Sequence, residues 1–208
     1  MGDFKNPFST LNMTTLIFAT NNEHKVAEIQ SLLPKDINVL TLQQAGINID
    51  IPEPYDTLQE NANTKAKTIF ELTKHNCFSE DTGLEIDALN GAPGVHSARY
   101  AGEDRNFNPN IEKVIFNLKN VENRSAQFRT VICLIWEQTE YYFEGICRGH
   151  IAEQNSGKAG FGYDPIFIPE GATISFAAMT MEEKNTYSHR QKAVTQLFTF
   201  LQSINKVH

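Results

Sequence analysis

Within residues 16–42 a short apolar run, an amphipathic stretch and a second apolar run follow one another with little between them. Leu16-Ile17-Phe18-Ala19 ends at polar Thr20-Asn21-Asn22, the pattern of a buried strand opening into a loop. Glu23 to Leu33 carries Val26, Ile29 and Leu33 on one helical face, and Pro34 stops it. Asp36 to Leu42 then reads as a second strand. A β-α-β unit of this kind builds parallel sheet with helices on its faces, so the chain is committed to an α/β fold.

The rest of the chain extends that sheet. After the Ile51-Pro52-Glu53-Pro54 loop, Thr57-Leu58-Gln59-Glu60 reads as a capping box, and Leu58, Ala62, Ala66 and Ile69 predict a helix to about Lys74. Cys77-Phe78-Ser79 predicts a brief strand carrying Glu80-Asp81-Thr82-Gly83 at its end, with Leu84 to Asp87 continuing as a second strand beyond the glycine. Asn108 as cap, Pro109 at the first helical position, and Ile111, Val114, Ile115 and Leu118 predict another helix. Residues 125–136 and 140–152, separated by Glu137-Gln138-Thr139-Glu140, predict a long antiparallel hairpin. The expected central sheet is therefore mixed, partly parallel and flanked by helices. A glycine-rich segment, 156–165, leads into Ile166-Phe167-Ile168, and Ser188 caps a last helix striped with Val194, Leu197, Phe198, Leu201 and Ile204.

Composition narrows the function classes. The 208 residues suffice for one domain, or one domain in two lobes; residues 1–13 read as a loose leader and 14–208 as the folded unit. The longest apolar run, Val131 to Trp136, is six residues, against the roughly 18 to 20 of a bilayer span, so no membrane partner is expected. A formal charge of −7 disfavours polymeric nucleic acid while leaving room for locally bound anions. The 3 cysteines, with no Cys-x-x-Cys, fit buried thiols in a reducing cytoplasm. There is no His-Glu-x-x-His and no Gly-x-Ser-x-Gly. Gly157-Lys158-Ala159 lacks the hydroxyl residue after lysine and has Ala152 where a Walker loop needs its first glycine, which excludes a P-loop NTPase.

Four segments place polar groups just beyond apolar elements, where ligand clefts of α/β folds lie. Thr20 to Lys25, at a strand-to-helix junction, offers helix N–H groups and a lysine to phosphate, or is an ordinary capped turn. Glu80-Asp81-Thr82-Gly83 pairs neighbouring acids that a hard cation such as Mg²⁺ would reconcile, with Glu53 as a second ligand, or is a solvated acidic turn. Phe161-Gly162-Tyr163-Asp164 supplies either a stacking face for a base or a core anchor. Lys184 and Arg190 donate only, which suits a base edge bearing oxygen, or belong to a surface charge cluster.

Read together, these segments and Gly91-Ala92-Pro93-Gly94 with Ser97-Ala98-Arg99-Tyr100 occur in the order seen in the inosine triphosphate pyrophosphatase family, also called the Ham1-like dITP/XTP pyrophosphatases. The resemblance covers roughly residues 15 to 204. It implies a two-lobed fold with the active-site cleft between the lobes. It also implies a Mg²⁺-dependent, cytoplasmic, homodimeric enzyme that hydrolyses ITP, dITP and XTP to the monophosphate and pyrophosphate, cleansing the nucleotide pool. By motif, Thr20, Asn21, Asn22, Glu23, His24 and Lys25 would hold the phosphates, joined by Lys65. Asp81 would be the metal-associated catalytic acid/base with Glu53 assisting the metal, and Thr82 would touch substrate. Phe161, Gly162, Tyr163, Asp164, Lys184, His189 and Arg190 would form the nucleoside pocket. Where the family commonly has glycine this chain has Asn21, a residue tolerant of left-handed backbone, so the loop shape is expected to persist.

The chemistry follows on physical grounds. Water attacking the α-phosphorus needs positioning and electrostatic stabilisation, with no covalent nucleophile. The rival readings are a house-cleaning pyrophosphatase for modified pyrimidine or methylated nucleotides and a nucleotide-binding sensor without turnover.

Overall fold

The computed structural model describes residues 13–102 and 107–205; residues 1–12, and with them nearly all of the expected leader, lie outside the described residues. The predicted β-α-β unit is β1 (Thr14–Phe18), α1 (Glu23–Gln30) and β2 (Ile37–Thr41), and β1 and β2 run parallel from Thr14↔Ile37 to Phe18↔Thr41. The helix stops at Gln30, short of Leu33. Ser31 Oγ turns back to the Glu28 carbonyl at 2.7 Å, Leu32 N bonds Ile29 O in a tighter turn, and Leu33 precedes a proline, which disfavours helical backbone.

Helix α2 (Leu58–Thr73) starts at Thr57, whose hydroxyl accepts from Glu60 N at 3.2 Å. The Glu60 carboxylate accepts from that same hydroxyl at 2.7 Å rather than from the Thr57 backbone, so only half of the expected capping box forms. Strand β3 (Cys77–Ile86) corrects the sequence reading more substantially: it is one strand, unbroken at Gly83. It pairs antiparallel with β5 (Ser125–Trp136) along its whole length, from Cys77↔Ile135 to Ile86↔Ala126, which holds it straight through the glycine. The missing side chain admits β4 (Pro93–Gly94), because a Cβ on Gly83 would stand 2.7 Å from the Gly94 carbonyl oxygen. Glu80 to Gly83 therefore lie in mid-strand. They still border the carboxyl end of β1, because β3 pairs with β1 only at Cys77 and Phe78.

Helix α3 (Phe107–Asn117) begins ahead of Asn108, so Pro109 is third rather than first; the initial turn tolerates this because its N–H groups have no intrahelical acceptor. The hairpin is β5 and β6 (Thr139–Ile151), and its turn is shorter than expected: Glu137 and Gln138 take φ of 47° and 69°, the double positive φ that matches strand twist in a two-residue connection. Strand β7 (Phe167–Pro169) pairs antiparallel with β6. Among the described residues the order across the sheet is β2-β1-β3-β5-β6-β7, with β4 beside β3. A short helix absent from the sequence reading, α4 (Met181–Tyr187), opens on a complete capping box between Thr180 and Glu183, and α5 (His189–Asn205) follows at Ser188, whose Oγ accepts from Gln191 N.

Strand alternation sorts the core. Leu16, Phe18, Phe78, Ile132 and Leu134 meet Val194, Leu197 and Leu201 of α5, while Ile17, Ala19, Cys77, Cys133 and Ile135 meet Ala62, Ala66 and Ile69 of α2 on the other face. A third cluster joins Ile111 and Val114 of α3 to Phe128, Tyr163, Phe167 and Phe176. Gly145 of β6 lets α5 approach closely, since a Cβ there would meet the His189 carbonyl oxygen at 2.0 Å. That contact sets where the first turn of α5 delivers His189 and Arg190.

Candidate active site

The residues assigned to phosphate, metal and base, from Thr20 to Arg190, line one cleft of about 450 Å³, while Glu80 and Gly83 of the acidic segment do not. Its floor is the end of β1. Asn22 caps α1 by accepting from Lys25 N at 3.1 Å, its own N–H bonds Thr20 Oγ1, and Asn21 Nδ2 reaches the Ile49 carbonyl at 2.8 Å. Asn21 is not among the residues of positive φ, so the left-handed backbone expected there is not adopted; the side-chain bond to Ile49 holds the loop instead.

The acid pair is split by the pleat. Asp81 shares the α2 face with Ser79, and Lys65 Nζ stands 3.4 Å from its Oδ1 while also bonding Glu53 Oε1. Arg99 lies 4.0 Å from the other Glu53 oxygen. Burial holds the Asp81 carboxyl above its ordinary range, an effect that Lys65 and Lys25 only partly offset. Burial also opposes charge on Lys65, but Asp81 and Glu53 outweigh it and raise its pKa. Glu80 points to the α5 face: Arg190 Nε bonds its two oxygens at 3.0 and 2.9 Å, and Lys25 lies 3.3 Å away. Against the cost of burial, these cations hold Glu80 below the usual carboxylate range. The two neighbours thus make their direct ion pairs with different cations; Glu80 is satisfied by Arg190 and Lys25, and only Asp81 faces α2.

At the other end, Lys184 Nζ lies between Glu28 Oε1 at 2.7 Å and Asp164 Oδ2 at 2.6 Å, and Arg190 adds Nη1 to Glu28 and Nη2 to Thr82 Oγ1. The sequence reading passed over Glu28. It is 4% exposed and gathers both cations, but a glutamate beside Ile29 on a short helix looks like part of a solvated face. The glycine-rich segment is folded by Asp164, which accepts from Phe161 N at 2.9 Å. Of the two aromatics, Tyr163 is a buried anchor whose hydroxyl donates to the Ser97 carbonyl at 2.8 Å, and only half-buried Phe161 presents a ring, with Lys184 Nζ and Arg190 Cζ 5.4 and 5.7 Å from its centroid. His189 stacks on Phe128 at 4.7 Å; burial, with Arg190 beyond it, drives its pKa well down, and its Nδ1 has no partner. Ser97 and Ala98 of the Ser97-Ala98-Arg99-Tyr100 motif also line the cleft, as do Phe107 and Phe128, which carry no sequence signal.

Among the described residues no group of three His, Cys, Asp or Glu side chains stands ready to hold a metal alone. The acid end nevertheless fits a cation that arrives with phosphate. Asp81 Oδ2 is buried with no hydrogen-bond partner, Glu53 lies across Lys65 from it, and Mg²⁺ commonly binds through one or two carboxylates plus water and substrate phosphates.

Comparison with known proteins gives a consistent result. The Ham1 family model matches residues 16–200. The chain is 51% identical to the dITP/XTP pyrophosphatase of Flavobacterium johnsoniae over 186 residues, 89% of this chain and 97% of that protein. It is 51% identical to the dITP/XTP pyrophosphatase of Porphyromonas gingivalis over 190 residues, 91% of this chain and 98% of that one. The structure of a HAM1 protein from Coxiella burnetii superposes with a TM-score of 0.84 at 37% identity, covering 92% of this chain and 100% of that one.

Proposed function

The chain belongs to the Ham1 family, and from that premise we propose that it hydrolyses deaminated purine nucleoside triphosphates (ITP, dITP and XTP) to the monophosphate and pyrophosphate. One observation carries the reading: a single cleft is lined both by Asp81 with Lys65 and Glu53 and by Phe161 with Lys184 and Arg190. The first set suits a triphosphate, the second a base.

Asp81, with its free oxygen, orients and deprotonates the attacking water, a role worth on the order of 10²- to 10⁴-fold. Lys65 and Lys25, with the N–H groups at the start of α1, hold the phosphates, and Thr20 to Glu23 with the backbone of His24 shape that corner. Asp81 and Glu53 would hold Mg²⁺, which supplies charge neutralisation at the phosphates when bound.

Selectivity starts at Lys184. Two of its three N–H donors go to Glu28 and Asp164, leaving one for the base. It can meet the O6 of hypoxanthine or xanthine but only oppose the 6-amino group of adenine, and an unpaired buried donor costs about 1 to 3 kcal/mol. Thr82, Gly162, Tyr163 and His189 complete the walls.

Residues 14–208 are read as one domain in two lobes that shares the single sheet, acting as a homodimer. A cytoplasmic location is supported by three free buried thiols, pushed by burial to about 12 for Cys77 and about 11 for Cys133 and Cys147. No helix among the described residues is long and apolar enough to cross a membrane.

The test is pyrophosphate release from ITP, dITP, XTP, GTP, ATP and dUTP, with Mg²⁺ and with chelator. Mg²⁺-dependent release from the first three is expected. Preference for dUTP, or nucleotide binding without release, overturns the reading.

A further inference from the structure

His24 belongs by its position to the phosphate corner, at the second residue of α1. Its ring points elsewhere. It lies flat against Phe161 of the glycine-rich segment, with centroids 5.0 Å apart and planes 9° from parallel. The pair spans the cleft, which both residues line, and Phe107 closes on the edge of Phe161 at 6.2 Å and 61°. His24 is exposed and Phe161 half-buried, so neither ring is a core anchor.

We propose that His24 is the second wall of a base sandwich, with the purine entering between its imidazole and Phe161. The proposal rests on reading the cleft as a purine nucleotide site. A flat base stacked on both sides needs the rings about 7 Å apart, so the 5.0 Å pair opens by about 2 Å on binding. In the closed pair each ring shields the face that the base will use. Entry of the base replaces one ring contact by two, while the edge of the base meets Lys184, whose ammonium sits 5.4 Å from the Phe161 centroid. A ligand made only of phosphate has no use for this pair. His24 would therefore govern affinity for the base end and leave the phosphate end alone, although its neighbours along the chain serve phosphate.

The decisive experiment is calorimetric titration of the full chain with IMP and, separately, with inorganic tripolyphosphate, for the unaltered protein, His24→Ala and His24→Phe. His24→Ala is expected to weaken IMP binding roughly tenfold, the scale of one base–aromatic stack, without changing tripolyphosphate binding. His24→Phe is expected to restore IMP affinity. In ITP hydrolysis the alanine variant raises KM more than it lowers kcat. Equal weakening of IMP and tripolyphosphate would make His24 a phosphate residue and overturn the proposal, and so would unchanged IMP binding in the alanine variant. Circular dichroism checks the fold of each variant. Failure of the unaltered protein to hydrolyse ITP would count against the proposed activity, while the two titrations still decide the role of His24.

Discussion

Glu80 and Asp81 are adjacent on β3 and face opposite sides of the sheet, Glu80 bonded to Arg190 of α5 and Asp81 beside Lys65 of α2. One strand step therefore separates a carboxylate that binds the fold together from one with an oxygen to spare.

Asp81→Asn is expected to lower kcat by about 10²- to 10⁴-fold while nucleotide still binds. Glu80→Gln instead takes one of the two buried carboxylates from Arg190 and the paired one from Lys25, and costs about 3 to 5 kcal/mol of stability. Steady-state kinetics and urea unfolding of both variants separate these outcomes; equal loss of turnover with unchanged stability in the two would refute the division.

Arg190→Ala should unfold the protein more readily than it relaxes base selectivity. The guanidinium is 2% exposed and serves Glu28, Glu80 and Thr82 together. Its removal takes the shared cation from two buried acids, leaving Glu28 with Lys184 and Glu80 with Lys25, a loss of about 3 to 5 kcal/mol. Arg190→Lys keeps the charge but loses the fork, so a smaller loss is expected. Denaturant midpoints, measured beside ITP/ATP activity ratios, test this.

Acid should unmake the same network. Glu28, Glu53 and Glu80 are held below the ordinary 4.5 of a glutamate, so their contribution is complete above that value and lost as pH falls through their depressed pKa values. Asp81 has the opposite sign: its raised carboxyl costs stability once pH climbs above the ordinary 3.8 of an aspartate. Urea unfolding at pH 7 and pH 3 should show Glu28→Gln destabilised at 7 and less so at 3. Asp81→Asn should be as stable as the unaltered protein or more so at 7, with the difference fading at 3.

Gly145→Ala would push α5 away from β6, because the new methyl has no room beside the backbone of His189 and Ala193. A cost of about 1 to 3 kcal/mol is expected, together with weaker IMP binding, since His189 and Arg190 move with the helix turn. Unchanged melting and unchanged IMP titration would show that the contact is slack.

What could be read in advance was whatever has local period or local punctuation. The β1–α1–β2 unit, the α2 stripe and the long hairpin follow from spacing alone; most cleft residues stand out as polar groups beside apolar runs, whereas Lys65, inside α2, is indicated only by the resemblance. Gly83 misled because a glycine in a strand looks like a break. Only the partner strands, β5 pairing across it and β4 pressed against it, show that it is a site of close approach. Helix α4 was legible in Thr180-Met181-Glu182-Glu183 and passed over. Glu28 had no local signal at all, because what buries it comes from the far end of the sequence.

That distance bears on how the molecule is made. Lys184 and Arg190 follow Glu28 by 156 and 162 positions. At about 5 to 20 residues per second on a ribosome, the early strand–helix–strand unit waits roughly ten to thirty seconds for the cations that neutralise it. Burying Glu28 without them would leave an unpaired interior charge, a cost that only Lys184 and Arg190 remove. Competence to bind and completion of the interior then arrive in one late step, when the last helix docks.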